Sequence, residues 1–186
     1  MTAAFAPALT GTPVLETERL VLRAPGAADW PTFRAMMESG RAQFLRTGAY
    51  DLSNTWRNFN HLIGHWVTRG FGMFVFQQKG CDQGLGMSGP WFPETWPEQE
   101  IGWSVWLPEA EGRGFAYEAA HAARRFAYDV LGWKTAVSYI AQGNDRSARL
   151  AQRLGAAAEG EEDGAMLFRH AMAGESRKDM QTGGAD

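Results

Sequence analysis

Residues 111–116 read Glu111-Gly112-Arg113-Gly114-Phe115-Ala116 and stand directly before an alanine-rich stretch with helical spacing. Glycines let a chain turn sharply and bring its backbone close to a ligand with no Cβ in the way. The first amides of a helix have no acceptor within it, and the helix dipole favours an anion beside them. The turn therefore suits a pyrophosphate, with Arg113 adding positive charge and the small Gly114 and Ala116 permitting close approach. Taken alone, the same residues also make an ordinary glycine-rich connection between a strand and a helix. A Walker A loop would need Gly-Lys-Ser/Thr, and a GxGxxG fingerprint fails because Phe115-Ala116-Tyr117 follows Gly114.

Other residues with chemical potential carry less. His61 and His65 are spaced i, i+4, as two ligands on one helix face would be, but no third ligand accompanies them, so no metal site is expected. His121 and His170 are isolated and read as surface or core-edge residues. Cys81 is the only cysteine, in a turn-like Gly-Cys-Asp-Gln-Gly stretch, and reads as an incidental thiol. The run Trp91-Phe-Pro-Glu-Thr-Trp96 concentrates aromatic area between two strands. Local packing is its first reading; the rim of a pocket, or a contact in a homodimer, is the second.

The elements that must hold the glycine turn follow from periodicity. Arg19–Arg23 alternates with Leu20 and Leu22 on one side, as a strand does. Asp29 is placed to cap a helix through about residue 39, and Ser53 a second one with Trp56, Phe59, Leu62, Ile63 and Trp66 on a stripe and Gly70 past its end. Strands are expected at 72–78, 84–90 and 99–106. The helix after the turn carries Ala116, Ala119, Ala120, Ala123, Phe126, Ala127, Val130 and Leu131 on its apolar stripe, with Gly132 at its end. A strand over 134–141 follows, then a short helix capped by Asn144 and ended by Gly155. Two last strands, 157–161 and 165–170, are joined by Glu162-Asp163-Gly164, which suits a tight hairpin. The order β-α-α-β-β-β-α-β-α-β-β describes an α/β chain of the α+β kind: a mixed sheet with helices on its faces.

The chain of 186 residues fits one domain, expected over 14–172, with flexible termini at 1–13 and 173–186. A net charge of -3 without a block of Lys or Arg argues against direct binding of nucleic acid. No apolar run has the length of a membrane span, and no secretion signal is evident at the start. The lone cysteine excludes an internal disulfide, and a cytoplasmic location is expected.

Four segments together resemble the GNAT superfamily of acetyl-CoA-dependent N-acetyltransferases, most closely its RimJ/RimL-like branch, over about residues 14–170. They are Thr17-Glu-Arg-Leu-Val-Leu-Arg23, Glu100-Ile-Gly-Trp103, Gly112-Arg-Gly-Phe-Ala-Tyr-Glu-Ala119, and Asn144-Asp-Arg-Ser147 with Leu154-Gly155. The resemblance implies a mostly antiparallel sheet with a splayed strand pair at the cofactor site, and acetyl-CoA as co-substrate with no metal. It implies that residues 111–116 hold the pyrophosphate, that the backbone of Ser104, Val105 and Trp106 pairs with the pantetheine arm, and that Asn144 also meets that arm. Glu100 matches the strand glutamate that serves as general base in some members, with Glu98 its nearest substitute. Ser147 matches the serine proposed to protonate or hydrogen-bond the leaving sulfur.

The chain also departs from the pattern. Glu111 replaces the usual Gln or Arg, and its carboxylate is expected to point away or to pair with Arg113. Ala151 stands where many members place a general-acid Tyr, and Ala156 replaces an aromatic residue. The function implied is transfer of an acetyl group to a primary amine, on a protein N-terminus or a small molecule, by direct attack in a ternary complex. A lysine-like amine costs roughly 4 kcal/mol to deprotonate near neutral pH and an α-amine under about 1 kcal/mol, so a base matters most for the former. The acceptor is expected between residues 44–50 with the helix after them and the loops near the last hairpin. The departures keep a second reading open, a GNAT-fold acyl-CoA sensor without turnover; a dinucleotide-binding enzyme is a third.

Overall fold

Strands β1 (Leu15–Glu16) and β2 (Leu20–Arg23) open the sheet, and Leu20 and Leu22 are fully buried, as the alternation requires. The computed structural model describes residues 8–46 and 48–171. Of the termini expected to be flexible, residues 1–7 and 173–186 lie outside the described residues. Residues 8–13 have no regular structure, and Leu9 packs against the core.

Helix α1 (Trp30–Glu38) begins beside Asp29, but the carboxylate does not cap it. Asp29 is buried, and Arg23 reaches both of its oxygens at 2.8 Å while the Gly26 amide donates to one of them at 2.8 Å. A carboxylate without access to water needs a full counter-charge, which one capped amide does not supply. Helix α2 (Leu52–Arg69) is capped by Asp51, whose Oδ1 accepts from the amides of Ser53 and Asn54, so the cap lies two residues before the expected Ser53. Gly70, at φ 76°, ends α2 as expected.

Three strands follow: β3 (Phe74–Gln78), β4 (Gly84–Trp91) and β5 (Glu100–Val105). Then come α3 (Phe115–Asp129), β6 (Val137–Ala141), α4 (Asp145–Arg153), β7 (Ala157–Glu162) and β8 (Ala165–Arg169). Asp163 and Gly164 sit at φ 49° and 80°, the two positive values of a tight type I′ hairpin. The sheet runs β1-β2-β3-β4-β5-β6-β8-β7, with every neighbouring pair antiparallel except β5 and β6. The expected mixed, mostly antiparallel sheet flanked by helices is what the chain forms.

Alternation along β3 divides the core. Phe74 and Phe76 face α3 and meet Ala119, Ala123 and Phe126, whereas Val75 faces α1 and α2 and meets Phe33, Met36 and Phe59. Small side chains at Ala119, Ala120, Ala123 and Ala127, all without exposed surface, let α3 lie close to the strands and fix where its first turn points. Val130, placed on that stripe by its spacing, falls just past the last helical residue and is 67% exposed. On β4, a Cβ at Gly86 would lie 2.3 Å from the Ser104 carbonyl oxygen and 2.4 Å from the Phe76 ring. Only glycine lets β4 sit that close to β5. Ile140 and Phe168 pack with Ala151 and Ala156 under α4.

Candidate active site

Strands β5 and β6 meet at a single register position, Glu100 opposite Val137, and then part. The Val137 amide donates to Gln99 at 2.8 Å, and one step further a side chain replaces the backbone ladder: Ser138 Oγ donates to the Ile101 carbonyl at 2.6 Å. Behind it, the buried His170 donates from Nε2 to Ser138 Oγ at 2.9 Å, and Arg124 donates to its Nδ1 at 3.3 Å. Burial, reinforced by the Arg124 charge, pushes the His170 pKa down to about 3, so this strut stays neutral. His170 is thus a core residue with a definite task, holding the point where the strands separate.

Backbone groups alternate in direction along a strand. The Gly102 carbonyl faces β4, where Ser88 Oγ donates to it, and the Ile101 carbonyl faces β6, so the amides of Trp103 and Val105 turn into the gap. Among the three residues expected to pair with pantetheine, Val105 is the one whose amide faces the gap, and its carbonyl takes Arg41 Nη2 at 3.2 Å. The Trp106 amide donates to Leu85 at 2.8 Å and its carbonyl takes Arg41 Nη1. Ser104 spends its hydroxyl oxygen on Trp106 Nε1 at 3.1 Å, on the β4-facing parity. Trp103, absent from the expected set, joins Val105; strand alternation counted from Glu100 was the signal that would have found it.

Gly112 and Gly114 both occupy the left-handed region, at φ 71° and 78°, and Gly114 is the residue before α3. The amides at the start of α3 therefore point out of the helix with no acceptor inside it. Phe115 is buried beneath two guanidiniums, Arg19 at 4.7 Å and Arg113 at 4.6 Å from its ring centre. Glu118 fastens the first turn of α3 to the β1–β2 connection, taking Thr17 Oγ1 at 2.6 Å, the Arg19 amide at 2.9 Å and Arg19 Nε at 2.7 Å. Glu111 does not pair with Arg113. Its carboxylate takes Arg41 Nε at 3.0 Å on one oxygen and Arg146 Nη1 at 2.6 Å on the other, because two guanidiniums from other elements reach it while Arg113 lies over Phe115. Arg41, then Arg146, holds that carboxylate below the usual range.

A cavity of about 410 Å³ opens from the strand gap toward α1 and α2. Its floor carries Glu100, which accepts from Trp96 Nε1 at 2.7 Å and from the Tyr139 amide. Burial raises the Glu100 pKa to about 7 against those two donors, so this carboxyl exchanges its proton near neutral pH. Glu98 differs: Arg169 grips both its oxygens at 2.8 and 2.9 Å and lowers its pKa, so it is occupied as a counter-ion. Tyr139 lines the same floor with a buried hydroxyl that has no partner among the described residues, and burial, then Glu162 and Glu98, push its pKa up to about 12.

Ser147 lines the cavity at the gap end. Trp103 Nε1 donates to its Oγ at 3.2 Å, which leaves the hydroxyl proton free to turn elsewhere. Asn144 caps α4 by accepting the Ser147 amide at 3.3 Å and also lines the cavity. Ala151 has no exposed surface and packs with Ile140, Ala156 and Phe168, so this position is part of the core and carries no acid group. Residues 44, 45, 58, 61 and 62, from the stretch in which the acceptor was expected, line the cavity, whereas no residue of β7, β8 or the turn between them does. Trp91 and Trp96 line it too, so the aromatic run forms a pocket wall. His65 offers no lone pair to a metal: Nδ1–H donates to Phe71 at 2.8 Å, and Nε2 accepts the Phe92 amide at 3.2 Å.

Residues 19–157 match the acetyltransferase (GNAT) domain family. Among solved structures, an acetyltransferase from Agrobacterium tumefaciens strain C58 is 33% identical, with a TM-score of 0.80 over 88% of this chain and 97% of that one. The fold is shared with a ribosomal-protein-S5-alanine acetyltransferase from Vibrio fischeri, at 17% identity and a TM-score of 0.67 over 86% and 96% of the two chains. It is shared as well with RimL, a ribosomal L7/L12 α-N-protein acetyltransferase solved in complex with coenzyme A, at 15% identity and a TM-score of 0.70 over 88% and 100%. The glycine turn, its outward amides and the unpaired edge of β5 fit a diphosphate followed by an amide-bearing arm.

Proposed function

Because the chain belongs to the family of GNAT acetyltransferases, we propose that it carries the acetyl group of acetyl-CoA to a primary amine by direct attack within a ternary complex. The observation that carries this reading is Glu100: a carboxyl of pKa about 7 on the floor of a cavity where β5 and β6 part. The amides of residues 112–116 and Arg113 hold the diphosphate, and those of Trp103 and Val105 meet the pantetheine arm. Asn144 lines the far side of that arm.

Glu100 takes a proton from the incoming ammonium, directly or through a water, and leaves a neutral nitrogen. The nitrogen lone pair forms a bond to the thioester carbonyl carbon, and a gap-facing amide of β5 steadies the oxygen that gains charge. As the C–S bond breaks, the Ser147 hydroxyl donates toward the sulfur, its oxygen held by Trp103 Nε1. The proton on Glu100 returns to solvent, and the nitrogen, which carries one proton too many after the attack, gives it to the freed carboxylate on the way to the amide. Serine is a weak acid, so its hydrogen bond supports a leaving thiolate more than it protonates it. A cytoplasmic location, expected from the single cysteine, belongs to the same proposal.

Thiol release from acetyl-CoA across a panel of amines tests the reading. Amine-dependent release supports transfer. Calorimetric binding of coenzyme A with no release for any amine would favour the acyl-CoA sensor, and no binding at all would remove both.

A further inference from the structure

The half of the cavity away from the strand gap is apolar. Met37, Met87 and Trp91 form its wall, and Phe44, Leu45 and Trp96 stand at its rim, 37%, 49% and 37% exposed. Glu100 is the only carboxylate among the described lining residues, and no Lys or Arg is among them. Asn58 and His61 are the polar side chains on the α2 wall.

Such walls sort amines by what carries them. A free amino acid would bring its carboxylate toward that of Glu100 with no cation to balance it. A polyamine would place a second ammonium against thioether and aromatic surface while the one carboxylate serves the first. A peptide would bring a run of backbone amides and carbonyls that need partners; the α2 wall offers the side chains of Asn58 and His61, and the Tyr139 hydroxyl on the floor serves at most one more. An uncharged apolar body meets none of these costs: it displaces water from the wall, and the aromatic rings favour an ammonium as it enters.

We propose that the acceptor is a monoamine carried on an uncharged apolar body, aromatic or branched aliphatic, seated between Trp91, Trp96 and the methionines of the wall. This rests on the acyl-transfer reading above and narrows its acceptor to a small molecule without a second charge.

The test uses the full chain, acetyl-CoA and thiol release at pH 8, where histidines as a class are uncharged. The probes are phenethylamine, phenylalanine, spermidine and a short peptide with an N-terminal serine. The kcat/KM for phenethylamine is expected to exceed each of the others by about tenfold or more. A higher value for any of the three overturns the proposal and leaves acyl transfer standing. Leu45→Lys, at the half-exposed rim, is expected to shrink the preference for phenethylamine over phenylalanine several-fold by supplying the missing cation. An unchanged ratio overturns the charge argument. No release with any amine, alongside intact binding of coenzyme A, overturns the acyl-transfer reading and this proposal with it.

Discussion

Replacing Glu100 by Gln should make the protein more stable and less active, and the stability gain should depend on pH. The carboxyl has a pKa of about 7 in the folded chain against an ordinary value of 4.5. Between those values the folded state keeps a proton that the unfolded chain has released. Stability from this group is therefore full below about pH 4.5, declines as pH rises, and stays low above about pH 7. At 1.36 kcal/mol per pH unit, the difference amounts to ~3 kcal/mol. Glutamine is close in shape and does not titrate. Its NH2 group stands where one carboxylate oxygen did, beside the donors Trp96 Nε1 and the Tyr139 amide, which returns ~1 kcal/mol of the gain. Urea unfolding followed by tryptophan fluorescence should find the variant near the parent at pH 5 and ahead by ~2 kcal/mol at pH 8.5. In the thiol-release assay the same variant should lose about a hundredfold in kcat, together with the rate limb that rises through about pH 7. Parallel stability curves for the two proteins from pH 5 to 8.5 would refute the reasoning, because they would show that the carboxyl is not desolvated. A variant with its rate and pH profile intact would remove Glu100 from the base role.

Three further substitutions probe separate parts of the arrangement. Ser147→Ala removes the oxygen that Trp103 Nε1 bonds, and steady-state kinetics should show kcat lower by about tenfold with KM for acetyl-CoA little changed. Gly114→Ala puts a side chain at φ 78°, with its Cβ 3.5 Å from an Arg19 nitrogen. The strain of ~1–2 kcal/mol should lower the melting temperature, and calorimetry should find coenzyme A bound about tenfold more weakly. Asp29→Asn leaves Arg23 without its buried counter-ion, and neither residue lines the cavity, so urea unfolding should show a loss of ~3 kcal/mol while KM for acetyl-CoA stays the same.

What the sequence revealed depended on how local each cause was. The glycines at 112 and 114, the alanine stripe of α3 from Ala119 to Ala127 and the Asp163-Gly164 hairpin answer to backbone geometry and spacing and form as read, while Val130 and Leu131 fall past the end of the helix. Asp29 and Ser53 were misjudged as caps because a cap signal is a choice among nearby acceptors. Arg23 in three dimensions, and Asp51 two residues earlier, decided it. Glu100 was legible as a candidate only through family resemblance; its raised pKa comes from burial on the floor of a cavity that no periodicity displays, and it stays raised although Trp96 Nε1 donates to the carboxylate. The Ser138–His170–Arg124 strut was not legible, since its parts are 32 and 46 residues apart and each looks bland alone.

Glu111 shows why an acid beside a pyrophosphate turn need not weaken it. Taken with Gly112 and Arg113 alone, its charge opposes a diphosphate. In the fold it sits between Arg41 and Arg146, so the three side chains carry one net positive charge, with Arg113 adding another. Arg41 also donates to the carbonyls of Val105 and Trp106, which ties the end of β5 to the residue before the glycine turn. Arg146 precedes Ser147 on α4, so the same carboxylate reaches the helix on the other side of the gap. An alanine at 111 would leave two guanidiniums to repel each other where β5, the turn and α4 converge. Glu111 thus works as an internal counter-ion between Arg41 and Arg146, linking the end of β5 to the start of α4 through the residue before the glycine turn.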